Sequence, residues 1–254
     1  MHVSEFRDDE ATAQRAREVI EMLAAELDLL DPSVVTASPD LFSVAWGWWA
    51  RICRTARAVN VLAAEGLLHE AAPLVRVVIE HSIGLVWLTD VGDPGYASII
   101  ARHHKHMENV RASANKADWI IDVPDSTSSD SAQLPTDEDL KYPRSFETML
   151  DDYELGTLYT VYRVESAYNH PTYAGARPYL QQRDDALQIL TTPESPSRAI
   201  QIETARSLII ATMAVDRLLD GRPLQPRTRA ASSLLGVPHE LPARKPNRGP
   251  TTKE

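Results

Sequence analysis

Arg163 and His170, near the end of one apolar-periodic stretch, are the side-chain types that phosphoryl chemistry uses. They stand seven residues apart, two helical turns, so a helix through this stretch places them on one face. Histidine has an unperturbed pKa of about 6.5 and exchanges protons near neutrality. Arginine stabilises charge that develops on a phosphate oxygen. Together they suffice for metal-independent RNA cleavage, in which a ribose 2′-hydroxyl attacks the neighbouring phosphate. Pro171 disfavours the helical conformation in the residue before it, so His170 is expected to leave the helix end and project into a cleft. The spacing serves equally well for a helix-terminal histidine with a surface arginine nearby.

Arg76 and Glu80 form the second candidate pair. Nearly everything from Ala71 to Leu88 is apolar, yet these two charges stand four residues apart within it, on one helical face. A buried charge is costly unless paired, so the pair serves either as an internal ion pair or as the charged lining of a cavity. His103, His104 and His106 invite a metal reading. On a helix His103 and His104 point about 100° apart, so one tetrahedral site cannot take both without ligands from other helices, His81 among them. An exposed polar face is the plainer reading, and no metal is assigned. Trp46 and Trp49 share a face while Trp48 diverges, which fits core packing with one indole at an interface or a ring-stacking surface. Cys53 is the only cysteine, so an intramolecular disulfide is impossible and a buried thiol is expected. Gly-rich phosphate loops, nucleophile elbows and zinc-finger spacings are absent from the sequence, and no cofactor is expected.

The elements that would position these residues are helices. Apolar residues recur at three- and four-residue spacing from about Ser4 to Leu30, stopped by Asp31-Pro32. A second helix should run from Leu41 to Ala64, with Ser38 as cap, Pro39 at its first position and Gly66 as its stop. A third should run from His69 to Thr89, ended by Gly92-Asp93-Pro94-Gly95, and a fourth from Tyr96 to Trp119. Residues 123–144 are rich in Ser, Asp, Pro and Thr and are expected to be an acidic loop. Helix resumes from Phe146 to Asn169 with a break near Gly156, and again from Ser195, as cap, to Leu219.

The formal net charge of −10 gives no bulk attraction to nucleic acid. Ala and Leu with Arg and Glu dominate, and alternating β-branched runs are nearly absent. The expected class is all-α, a multi-helix bundle of about six to seven helices in one domain, residues 1–221. From residue 222 to 254 seven basic residues face two acidic ones, a balance of +5 on a Pro-rich stretch that is expected to be a disordered tail. The N-terminus has no signal-peptide pattern, and the longest apolar run, Leu74 to Leu88, is interrupted by Arg76, Glu80 and His81. A cytoplasmic protein with no membrane contact is the expectation.

The stretch from Arg57 to Leu88, with Gly66, Glu70-Ala71, Leu74-Val75-Arg76 and Glu80, resembles the core pattern of a widespread bacterial helical family of no established function. Tyr162, Ser166 and His170-Pro171 resemble its closing motif. These segments cover well under half of the chain. The arginine–six residues–histidine spacing is also similar to HEPN domains, helical bundles of which many are dimeric ribonucleases in toxin and phage-defence systems. That resemblance implies Arg163 and His170 as a catalytic pair, a homodimer and an RNA substrate. Val164 departs from the polar residue usual after the arginine in that pattern. Arg76, Glu80, Tyr162 and Asn169 are expected to line the cleft, with the Arg76–Glu80 helix as the wall opposite Arg163 and His170. The alternative is a non-catalytic binding or regulatory module acting as an oligomer, with the Arg76–Glu80 face and the tryptophans shaping its surface.

Overall fold

The computed structural model describes residues 9–31, 38–119, 143, 145–183, 186–193 and 198–245. Helix α1 (Glu10–Leu29) starts where the Asp9 carboxylate accepts the Thr12 amide at 2.7 Å. Helix α2 (Pro39–Ala64) has Pro39 in its first turn, as the sequence suggests. Ser38, however, does not cap it with its side chain, and its hydroxyl donates to Asp93 instead. Gly66 ends the helix region with φ of +73°, a conformation that a side chain strains. A 3-10 turn (His69–Ala71) leads into α3 (Ala72–Val91). Gly92, φ +72°, is the whole break before α4 (Asp93–Lys116), because Asp93, Pro94 and Gly95 already form the first turn of that helix.

Beyond the loop expected at 123–144, of which only Pro143 lies within the described residues, come α5 (Phe146–Asp152) and α6 (Gly156–Tyr168). The break between them sits at 153–155, where Glu154 has a positive φ. The short α7 (Tyr173–Ala176) and a 3-10 turn (Arg177–Tyr179) precede an antiparallel hairpin, β1 (Leu180–Arg183) and β2 (Ala186–Ile189), with Leu180 opposite Ile189. Helix α8 (Ala199–Asp216) follows, and the start expected at Ser195 lies outside the described residues. The chain continues to α9 (Gln225–Leu235).

The expected all-α class is found, with nine helices and the one hairpin among the described residues. The stretch from residue 222 departs from the disorder expected of it. Leu224, Ala231 and Leu235 are buried, α9 packs on α1 and α8, and Arg227 pairs with Glu26 at 3.0 Å. Further on, Arg244 reaches Asp152 at 3.4 Å and the Lys245 amide donates to the Asp152 carbonyl at 2.7 Å. The basic residues that suggested an unstructured extension are thus partly neutralised by the acidic body, and three apolar residues spaced for one helix face anchor the segment.

The core lies where α3 and α8 meet, flanked by α1 and α2. Helix α8 is buried nearly all round, and its core-facing Thr204 and Thr212 donate their hydroxyls to the carbonyls of Ile200 and Leu208 one turn back. Residues His69–Val91 are long and apolar enough to cross a membrane, but 67% of that window is buried inside the bundle, as in the core helix of a globular fold. Cys53 is buried, which pushes its thiol up to about 12. Helices α5 and α6 pack on the outer side of α3, and this layer holds the site.

Candidate functional site

Helix α3 turns Arg76 and Glu80 to the edge of the core, where both are about one-third exposed. They pair as their spacing suggests, with Arg76 Nε and Nη2 each 3.3 Å from Glu80 Oε1. Across from them α6 brings Tyr162, whose hydroxyl donates to the same Oε1 at 2.7 Å. The Arg76 guanidinium carbon lies 5.0 Å from the Tyr162 ring centroid. The Phe146 ring of α5 packs against that ring at a tilt, centroids 4.6 Å apart, and Tyr159 stacks nearly parallel at 6.2 Å. Burial, and after it the hydrogen bond to Glu80, raises the Tyr162 pKa. The phenol therefore stays protonated as a donor at neutral pH.

Glu80, Phe146 and Tyr162 border a cavity of about 360 Å³, whose lining also includes Trp48, His81 and Arg102. Ligand sites commonly span ~300–1,000 Å³. His81 Nδ1 lies 2.9 Å from the Val77 carbonyl, which can only accept, so Nδ1 carries the proton. Burial lowers the His81 pKa, so its ring is neutral and Nε2 is left as an acceptor. The Trp48 ring meets His81 edge-on at 6.1 Å. The cavity thus offers aromatic faces, a carboxylate already held by two donors, a guanidinium and a neutral imidazole.

Among the expected cleft residues, Arg76, Glu80 and Tyr162 come together. Asn169 does not join them: it sits at the C-terminal cap of α6, with its backbone N–H donating to the Ser166 carbonyl at 3.1 Å. Arg163 and His170 do not form the facing wall either. Arg163 is exposed, with its guanidinium carbon 5.9 Å from the Tyr159 ring, and His170 is exposed beyond the helix end. The facing wall is Tyr162 with Phe146. One position separates Tyr162 from Arg163, about 100° around the helix, so a helix that turns the tyrosine inward turns the arginine out.

Trp48, His81 and Arg102 enter the site without having been assigned to it from spacing. The divergence of Trp48 from Trp46 and Trp49 was the usable signal: Trp49 is fully buried and donates to Thr212 Oγ1 at 3.1 Å, while Trp48 turns to the cavity. His103 and His106 are exposed on α4, and no group of three or more His, Cys, Asp or Glu residues converges for a metal among the described residues.

A model of the DUF5677 family, a family of unknown function, matches residues 42–187. This span is more than half of the chain and contains every residue that lines the cavity. No curated protein and no solved structure matches the chain.

Proposed function

The chain belongs to the DUF5677 family of unknown function, and from that premise we propose that it is a helical binding module whose cavity takes a planar heteroaromatic ligand of nucleobase type. The observation that carries this reading is the joint lining of the cavity by the rings of Trp48, Phe146 and Tyr162 and the polar groups of Glu80, His81 and Arg102. A flat heterocycle uses both kinds of surface, with ring faces against aromatic side chains and ring edges against donors and acceptors. A purely apolar ligand would use the ring faces and make no use of the polar groups of Glu80, His81 and Arg102. Calorimetric titration with adenosine, guanosine, cytidine and uridine tests it. Saturable binding of at least one nucleoside, weakened tenfold or more in Trp48→Ala, is expected. Absence of binding by all four, or unchanged binding in that variant, refutes the reading.

A second reading is a HEPN-like, metal-independent ribonuclease acting on RNA as a homodimer, with Arg163 and His170 as its pair. It is favoured by the exposure of both side chains and by an apolar border beside them, Val164 at 50%, Tyr168 at 38% and Tyr173 at 74% exposed, suited to a second copy. RNA cleavage by the wild-type chain that disappears in both Arg163→Ala and His170→Ala supports it. Cleavage that survives both changes, or is absent from the wild type, removes it.

A further inference from the structure

We propose that a second cavity, between α6 and the first turn of α8, binds a primary aliphatic ammonium group on Glu165, with its short apolar stem lying among Val161, Val164 and Ile200. This site is separate from the aromatic cavity and does not depend on the function proposed for it. Its volume is about 210 Å³, below the ~300 Å³ where drug-sized sites begin, so the ligand is small.

Glu165 carries the inference. It occupies the inward face of α6, seven residues after the buried Leu158, at a position where periodicity expects an apolar side chain. Only 7% of the residue is exposed, and its Oε2 is buried with no hydrogen-bond partner among the described residues. A buried carboxyl without a partner is costly, whereas one that meets a charge-bearing donor is stabilised. The nearby Glu203 on α8 adds a second negative charge, held by Arg206 at 2.8 Å, and among the described residues no arginine pairs with Glu165. Burial first, and Glu203 second, raise the Glu165 pKa to about 7.

The lining selects among cations. Apart from Glu165, His69 and Thr160 it is made of Ala72, Val161, Val164, Tyr168, Ala199 and Ile200. A hydrated divalent ion keeps waters and asks for several oxygen ligands, which this apolar wall does not supply. An ammonium brings one charge and three donors on an apolar stem, and so matches one carboxylate in an apolar cavity.

The test titrates the full chain at pH 8 with n-butylammonium chloride, n-butanol as the neutral analogue, and calcium chloride. Saturable binding of butylammonium, at least tenfold tighter than of butanol, is expected, and calcium should not compete with it. Glu165→Gln keeps the side-chain shape and should lose at least tenfold in affinity. Val164→Trp, at a half-exposed lining position, should obstruct the mouth and weaken binding similarly. Equal response to the amine and the alcohol, displacement by calcium, or wild-type affinity in either variant overturns the proposal.

Discussion

The hydroxyl of Tyr162 donates to Oε1 of Glu80 at 2.7 Å, joining α6 to α3 across 82 positions of sequence. The same oxygen receives Arg76, so one carboxylate atom organises three residues on two helices. Loss of the tyrosine hydroxyl in Tyr162→Phe is expected to cost about 1 kcal/mol, the usual net value for such a bond at a site partly open to water. A double-mutant cycle with Glu80→Ala in urea should return a coupling of similar size. A coupling within error of zero would show that the bond contributes nothing.

His81 should be the histidine that resists protonation. Burial is the main cause of its lowered pKa, the Arg51 charge adds to it, and the Val77 hydrogen bond and Glu80 oppose it. A histidine depressed in this way contributes stability that is present above its unfolded pKa of about 6.5 and lost as pH falls through its folded value. Long-range nitrogen–proton NMR at pH 7 should find His81 neutral with the proton on Nδ1. A doubly protonated ring at that pH contradicts the assignment.

Glu165 acts in the opposite direction on pH. Its folded pKa of about 7 lies well above the ordinary glutamate value of 4.5, so folding favours the protonated form. Its contribution is intact below about pH 4.5 and is lost as pH rises through 7, a change of roughly 3 kcal/mol. Around it stand Glu203 with Arg206 on α8 and His69 ahead of α3. Glu165→Gln should match the wild type near pH 4.5 and exceed it in stability at pH 8, as read from urea midpoints. Parallel pH profiles for the two chains would count against this.

Removal of everything from residue 222 onward is expected to destabilise the bundle by about 3–6 kcal/mol. Leu224 and Leu235 are nearly or fully buried, and burial of one leucine contributes roughly 1.5–3 kcal/mol. The cut also deprives Asp216 Oδ1 of the Leu224 amide, which donates to it at 2.8 Å in the interior. Thermal unfolding of the shortened chain measures the loss. An unchanged midpoint would restore the reading of this segment as an unstructured extension.

The helices were legible because apolar spacing and proline stops act locally. The α2 start at Pro39, the Gly66 stop and the break before Gly156 follow from such signals. Helix α9 was not legible, because seven basic residues outweigh in composition the three apolar residues that anchor it. The Arg76–Glu80 pair could be read from its four-residue spacing, and its partner Tyr162 from the closing motif. Trp48, His81 and Arg102 come from three different helix faces, and only the packing of α2, α3 and α4 determines that they meet. Glu165 has its own sequence signal, an acid in register with Leu158 on an inward stripe.

The central place of α8 governs the order in which this chain can fold. Trp49 finds its acceptor only in Thr212, 163 residues later, and Arg17 reaches Gln201 across 184. During synthesis α1, α2 and α3 can pack on one another, but the parts of their inward faces that α8 covers stay open until it is made. Long-range closure of this kind slows folding and prolongs the exposure of apolar surface. A nascent chain halted before residue 199 would present three open apolar faces to its surroundings and be a natural client for chaperones.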